Sequence, residues 1–264
     1  MYDVQYCVRR TVSSVSPRQA GQPAAAQLNR DAVVERALAV ADAEGLAAVT
    51  IRRLAQDLGV TPMALYWHVT GKEELLAAMG DRLFVGLPPD TGAATPWQVQ
   101  LRDLARALTT ALRAHPSVAA LAGPRVLQND EGRQLTERTL ELLRTAGFPV
   151  EQAAEIARHT LRTTISLVIE QAATGSSLDP TQRAEDVRLK RLALRELPPE
   201  RFPRLVEAAD ALACCADEEA YYSLGIDLLI AGIESNAPRS PARSRDADRP
   251  TAPPARPHPT GGHR

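Results

Sequence analysis

The sequence predicts an all-α protein with a small N-terminal helix-turn-helix unit followed by a larger helical domain. Apolar residues recur at spacings of three and four along most of the 264 residues, which is the helical period. No segment shows the alternating pattern of a half-buried strand. Residues 58–75, LGVTPMALYWHVTGKEEL, have the pattern of the turn and second helix of a helix-turn-helix.

The positions of Gly and Pro indicate where the helices begin and end along the chain. The run Leu87-Pro88-Pro89-Asp90-Thr91-Gly92 predicts a boundary between a DNA-binding domain at 28–87 and a helical domain at 88–235. Residues 1–27 and the Pro/Arg-rich residues 236–264 lack apolar periodicity, so we expect a disordered arm and a disordered tail. The expected helices are 30–43, 51–58, 62–68, 71–86, 97–114, 131–146, 150–174, 181–196 and 217–235.

The composition excludes several classes of protein. A net charge of −1 means that any nucleic-acid binding depends on a local cluster of donors, which excludes a histone-like mode. Cys7, Cys214 and Cys215 are odd in number and lack metal-ligand spacing, so we expect a reducing cytoplasm, no metal and no cofactor. No apolar run reaches eighteen residues and no signal peptide is recognisable, so we expect no membrane association.

The first two helices are predicted to be the scaffold of the head. Asn29 is placed to cap the first, and Gly45 to end it. Thr50 is placed to cap the second, from which Arg52 and Arg53 should extend into solvent. The residues expected to face inward are Val33, Val34, Ala37, Leu38, Ala41, Ile51, Leu54, Ala55 and Leu58.

The third helix is predicted to be the reading helix, with Gly59 in the turn before it. Thr61 should cap it and Pro62 should occupy its first position. In a helix-turn-helix the N-terminal residues of this helix meet base edges, here Thr61, Pro62, Met63 and Ala64. Tyr66 can reach a phosphate or a thymine methyl group, whereas Leu65, Trp67 and Val69 are expected in the core.

A further helix start follows at Thr70-Gly71-Lys72-Glu73, which has the pattern of a capping box. Lys72 would then lie at a helix N-terminus, where backbone donors already favour a phosphate. Such a contact positions a protein on DNA without selecting its sequence.

These residues carry a family resemblance. Residues 28–86, and above all LAQDLGVTPMALYWHVTGKEELL at 54–76, resemble the DNA-binding domain of the tetracycline-repressor (TetR) family, in particular its tetracycline-repressor branch. The resemblance implies that Arg52 contacts a base or phosphate and that Thr50 contacts a phosphate. It also implies that Tyr66, His68 and Lys72 grip the backbone, although an exposed His68 imidazole could equally be solvated. Pro62 and Ala64 replace a polar amide and a threonine of that repressor, so we expect a different operator.

The resemblance continues through TAGFPVEQAAEIARHTLRTTISLVIEQ at 145–171 and AYYSLGIDLLIAGIES at 220–235. It implies a homodimer in which helices 150–174 and 217–235 pair with their copies as a four-helix bundle. An apolar face with small residues agrees with close helix approach, although burial within the monomer would give the same pattern. The expected interface residues are Tyr221, Leu224, Gly225, Leu228, Leu229, Gly232 and Ile233.

Polar residues at helical spacing suggest an effector pocket in the second domain. The candidates on helix 150–174 are His159, Arg162, Thr163, Ser166 and Glu170, which could equally form a solvated face or hydrogen bonds across a dimer. Candidates for the pocket mouth are His115, Arg125, Gln128 and Asn129. The magnesium-tetracycline ligands of that branch fall near Pro88 and Leu121, and only Glu170 matches, so we expect a different effector, such as a hydrophobic natural product or drug.

Three hypotheses remain open from the sequence: a ligand-responsive repressor on a palindromic operator, a helical enzyme or ligand-storage protein with a vestigial head, and a genome-wide DNA binder. The second lacks a phosphate loop, a zinc-protease motif and a nucleophile elbow. The third is disfavoured by the near-zero net charge. The sequence therefore favours a DNA-binding regulator that is not an enzyme.

Overall fold

The computed structural model describes residues 28–87, 95–175, 180–215 and 217–238. Within these ranges the protein is all-α, as predicted, with no strand. The expected arm at 1–27 and the tail beyond 238 lie outside the described residues. The helices are α1 (Arg30–Glu44), α2 (Ile51–Asp57), α3 (Pro62–Tyr66), α4 (Lys72–Arg82), α5 (Trp97–Ala114), α6 (Ala122–Arg125), α7 (Asp130–Thr145), α8 (Val150–Gly175), α9 (Pro180–Arg195), α10 (Pro203–Glu207), α11 (Ala209–Ala213) and α12 (Glu218–Ser235).

Short helices account for most differences from the sequence prediction. The 3₁₀ helix Pro116–Leu121 and α6 were not predicted, and neither were α10 and α11. Each is six residues or fewer, which is too short for a helical period to repeat. The predicted helices 62–68 and 71–86 are also shorter than expected, ending at Tyr66 and Arg82.

The caps of the head confirm the local reasoning. The Asn29 side chain accepts from the Ala32 N–H at 2.8 Å, and Thr50 Oγ1 accepts from the Arg53 N–H at 3.1 Å. Thr61 caps α3, where Pro62 occupies the first turn. Gly45 and Gly59 have φ angles of 84° and 67°, which only glycine adopts without strain.

The expected capping box at 70–73 is wrong by one residue. Gly71 occupies the N-cap of α4 and offers no side chain, so Glu74 takes the acceptor role expected of Glu73. Its Oε2 accepts from both the backbone N–H and the hydroxyl of Thr70 at 2.7 Å each. These two hydrogen bonds hold the pKa of Glu74 below its usual value.

The expectation that Arg53 is solvated is also wrong. Its guanidinium binds both oxygens of Glu44 at 2.7 and 2.8 Å and contacts Asp57 at 3.0 Å. Arg36 of α1 contacts the same Asp57 at 2.7 Å, and this contact lowers the pKa of the Asp57 carboxyl more than the contact with Arg53 does. The four charges tie α1 to α2 and so fix the element that precedes the reading helix.

The larger domain is built around α5, which packs against α7, α8 and α12. The segment of residues 116–125 lies between the two domains, because its 3₁₀ helix contacts α1 and α4 on one side and α5 and α8 on the other. Val118, Ala119 and Ala122 are completely buried there, so one continuous apolar core joins head and body. No helix in the described ranges is long and apolar enough to span a bilayer.

Candidate DNA interface and ligand cavity

The start of the reading helix lies at the protein surface. Thr61, Pro62 and Met63 are exposed, the Met63 side chain at 69%, while Ala64 is half-buried. Leu65 is completely buried and anchors this short helix to the core, as predicted. The residues expected to meet base edges are therefore carried on a fixed support and face solvent.

Trp67 does not fill the core, and this expectation is wrong. The residue is 85% exposed, and its neighbour Tyr66 is 48% exposed. Leu65 and Val69 lie four residues apart and are both buried, as expected, which sets the register of this segment. At about 100° per residue, Tyr66 and Trp67 then point away from the core. The spacing of Leu65 and Val69 was therefore the sequence signal that Trp67 is exposed. The expectation of a buried Trp67 relied instead on the size and hydrophobicity of its side chain.

Polar groups flank this exposed aromatic pair. Arg52 and Lys72 are exposed, and neither side chain forms a hydrogen bond or an ion pair with another residue in the described part of the chain. Thr50 is exposed, with its hydroxyl oxygen accepting the capping bond, and His68 is half-buried. Free cations beside exposed aromatic and apolar side chains have the chemistry to bind phosphates and base edges.

A cavity of about 760 Å³ lies in the larger domain between α5, α6, α7 and α8. Its volume is that of a site for a drug-sized molecule. Leucines from three helices supply much of its wall: Leu101, Leu104, Leu108, Leu135, Leu140 and Leu161. The sequence pattern did not reveal this cavity, because leucines facing a cavity and leucines filling a core have the same period.

Of the nine predicted effector residues, the cavity wall includes only Arg162. His159, Ser166 and Glu170 are exposed on another side of α8, and Thr163 is half-buried there. Gln128 is exposed in the turn before α7. The structure does not bring these residues together in this cavity, because α8 turns 100° per residue and a cavity on one side of the helix excludes residues on the others.

The other three predicted effector residues contact the head instead. Arg125 Nε and Nη2 donate to the two carboxylate oxygens of Asp81 in α4 at 2.8 and 2.9 Å. Asn129 donates to the same carboxylate at 3.0 Å and also caps α7. We call Asp81, Arg125 and Asn129 the α4 clasp. His115 makes a further link, through Nδ1, to Asp42 of α1 at 2.7 Å.

The clasp depends on close packing between α4 and residues 121–125. Gly80 precedes Asp81, and a Cβ at Gly80 would lie 2.7 Å from Arg125 Cγ and 3.2 Å from Leu121 Cβ. The hydrogen bond that Arg125 donates to Asp81 raises the pKa of the Arg125 guanidinium. Cavity residues Gly123 and Pro124 belong to this same segment, and Val126 and Leu127 follow it directly. One piece of chain thus contributes to both the cavity wall and the clasp.

The face of α12 divides between the core and solvent. Leu224 and Leu228 are 61% and 65% exposed, and Gly232 is exposed with open space around it. Tyr221 and Leu229 are half-buried. Burial, followed by the nearby Glu170 carboxylate, raises the pKa of the Tyr221 phenol.

Two expected interface residues pack within the protomer instead. Ile233 is only 7% exposed and belongs to the core of the chain, so the structure does not place it on the exposed face of α12. Gly225 permits close approach as expected, but the helix it admits is α8 of the same chain. A Cβ there would lie 2.8 Å from Leu167.

The described residues contain no group of three or more His, Cys, Asp or Glu side chains able to hold a metal ion. Fold and site together define a helix-turn-helix regulator of transcription with a ligand-binding C-terminal domain. The family model described as "Bacterial regulatory proteins, tetR family" matches residues 33–79, and "Tetracyclin repressor-like, C-terminal domain" matches residues 88–237. The chain belongs to the TetR family.

Individual relatives agree with this assignment. The tetracycline repressor protein class E of Escherichia coli is 32% identical over 160 residues, which are 57% of this chain and 72% of that protein. The crystal structure of the Streptomyces coelicolor TetR family protein ActR in complex with actinorhodin is 31% identical. It has a TM-score of 0.67 and covers 80% of this chain and 99% of that one. BioQ with its double-stranded DNA operator is 25% identical, with a TM-score of 0.53, covering 79% and 99%.

Proposed function

We propose that this protein is a repressor that binds a palindromic operator as a homodimer and is released by a small molecule other than magnesium-tetracycline. The observation that carries the proposal is the shared segment 121–129, in which residues that line the cavity alternate with residues that bind Asp81 in α4 of the DNA-binding head. A ligand that shifts this segment changes the position of the head, and hence the affinity for DNA.

The DNA interface of the proposal comprises Thr50, Arg52, Thr61, Pro62, Met63, Ala64, Tyr66, His68 and Lys72, to which the structure adds the exposed Trp67. BioQ, a similar protein, was solved with its operator, which supports a duplex partner. The exposed apolar groups of Pro62 and Met63, with the half-buried Ala64 beside them, suit contact with thymine methyl groups. The operator is therefore expected to carry thymines where these residues meet each half-site.

Selection of bound fragments from a random DNA pool, followed by gel shift, tests DNA binding. Arg52→Ala and Lys72→Ala should each weaken binding. Each lost phosphate contact should also reduce, by about 0.9, the slope with which the logarithm of the binding constant falls against the logarithm of the salt concentration. Arg106→Ala is the matched control, because Arg106 is an exposed arginine on α5. If the head does not contact the DNA, both variants should bind with wild-type affinity. If no DNA fragment is selected at all, the proposal is contradicted.

A homodimer would cover the exposed α12 face, which is apolar at Leu224 and Leu228 and open at Gly232. Two reading helices at a fixed spacing are what two half-sites one DNA turn apart require. Leu228→Glu should shift the protein to monomer in analytical ultracentrifugation and weaken operator binding. Val85→Glu adds the same charge at a 49% exposed apolar position in the head and should leave the dimer intact. A dimeric Leu228→Glu protein would exclude this face.

The effector proposal is supported by the size of the cavity and by a relative. ActR was solved with actinorhodin and with (S)-DNPA, so a similar structure does take small molecules. Compounds should be screened for release of the selected operator fragment. Release by magnesium-tetracycline at concentrations where other compounds are inactive would contradict the effector part of the proposal alone.

A further inference from the structure

Three threonines line the cavity, and all three have already used their hydroxyl protons. Thr139 Oγ1 donates to the Leu135 carbonyl at 2.8 Å, and Thr160 Oγ1 donates to the Ile156 carbonyl at 2.8 Å. Thr136 Oγ1 likewise donates within α7, to the Gly132 carbonyl at 2.9 Å. A hydroxyl has one proton, so what these oxygens still offer to the cavity is lone pairs. The α7–α8 side of the cavity therefore presents hydrogen-bond acceptors to its occupant.

The wall also carries one positive charge that no other described residue neutralises. Three charged side chains line the cavity: Glu155, Arg158 and Arg162. Glu155 and Arg158 are paired with each other along α8. Arg162 forms no ion pair with any other described residue, which leaves one guanidinium to meet a ligand. A planar guanidinium is suited to bidentate binding of a carboxylate.

The rest of the wall is apolar. Leu104, Leu108 and Leu135 are at least 94% buried within the protein and contribute to it from α5 and α7. An occupant gains most from covering these leucines with a ring system or a hydrocarbon surface. A polar ligand group that cannot donate a hydrogen bond would lose its water next to the threonine oxygens and gain no hydrogen bond in return, which is unfavourable.

We infer that the cavity selects a hydroxylated aromatic carboxylic acid: an apolar ring system whose hydroxyl donates its one proton to the Thr139 or the Thr160 oxygen and whose carboxylate meets Arg162. The inference rests on the proposed function for its biological meaning, since it names the chemical class of the effector.

Direct calorimetric titration of the full chain without DNA tests the inference. The probe is 6-hydroxy-2-naphthoic acid, with 6-methoxy-2-naphthoic acid lacking the donor and methyl 6-hydroxy-2-naphthoate lacking the charge. The hydroxy acid should bind, and loss of either group should weaken binding by about tenfold, as expected for one hydrogen bond or one charge-assisted contact. No binding of the hydroxy acid at about 1 mM, or equal binding of all three compounds, would overturn the inference.

Variants locate each preference. The double variant Thr139→Val/Thr160→Val should bind the hydroxy and methoxy acids equally, while Arg162→Ala should bind the acid and its ester equally. Thr164→Val is the control for the first, because Thr164 is buried and makes the same bond, to the Thr160 carbonyl at 2.9 Å, without lining the cavity. Arg106→Ala is the control for the second. If the threonine double variant still prefers the hydroxy acid to the methoxy acid, the role of the threonines is wrong. If Arg162→Ala still prefers the acid to its ester, the role of Arg162 is wrong.

The two proposals fail in different ways. If the hydroxy acid binds with these preferences but operator binding does not respond to it, the effector role fails and the ligand class remains. If a compound without a hydroxyl or a carboxylate binds the cavity tightly and releases the operator, the ligand class fails and the effector role remains.

Discussion

Replacing Asp81 by Asn should loosen the junction between head and body, because Asp81 is the shared acceptor of the α4 clasp. The substitution keeps the size and one acceptor oxygen but removes the charge that both Arg125 nitrogens contact at 2.8 and 2.9 Å. The two side chains are only 29% and 26% exposed, so water replaces the lost interaction poorly.

The magnitude follows from two opposing effects. Hydrogen bonds to a charged group contribute about 1.5–3 kcal/mol. Asp81 lies in the last turn of α4, where a negative charge opposes the helix dipole, and its removal returns about 0.3–1 kcal/mol. The expected net loss in the free energy of unfolding is about 1–2 kcal/mol, or about 2–8 °C in Tm for a chain of this size.

Thermal unfolding followed by circular dichroism, at one protein concentration because dimerisation shifts Tm, measures this loss. Asp130→Asn is the control, since the Asp130–Arg133 pair in the same region is 82% and 56% exposed and should contribute little. This variant should lose only about 0.3–1 kcal/mol, the contribution of a negative charge in the first turn of α7. A cycle with Arg125→Met should show coupling of at least about 0.5 kcal/mol between Asp81 and Arg125. Equal melting of the Asp81 and Asp130 variants, or additive effects in the cycle, would refute this account of the clasp.

Three further predictions concern other parts of the molecule. Operator binding should change the fluorescence of exposed Trp67 but not that of Trp97, which stacks edge-on against Phe148; the signal should therefore persist in Trp97→Phe and vanish in Trp67→Phe. Gly132→Ala should lower the free energy of unfolding in urea by about 1–3 kcal/mol, since its Cβ would lie 2.2 Å from a backbone oxygen; a neutral result would contradict this contact. Arg36 and then Arg53 lower the folded-state pKa of Asp57 from 3.8. The ionised Asp57 carboxylate therefore stabilises the head above about pH 4, and this stability is lost as the pH falls through the lowered pKa. Tm should thus fall more steeply between pH 5 and pH 3 in wild type than in Asp57→Asn, and parallel curves would count against it.

The head could be predicted almost residue by residue, because its determinants are local. Capping by Asn29, Thr50 and Thr61 depends on residues three positions away, and all three caps form as expected. The family resemblance rests on the same short segment, and it was confirmed. What failed there were the solvated Arg53, the capping box at 70–73 and the buried Trp67. Trp67 is large and apolar, yet the register fixed by Leu65 and Val69 turns it outward.

The larger domain shows the limit of local reasoning. The sequence by itself determined an all-α chain, the caps of its head and the exposed start of its reading helix, because helical period and capping act over a few residues. Only the tertiary structure decided that Arg125 and Asn129 clasp Asp81 across more than forty residues, that Arg162 alone of its polar stripe faces the cavity, and that Ile233 is buried. Those outcomes depend on how helices distant in sequence pack, and a helical period is the same whichever neighbour it meets.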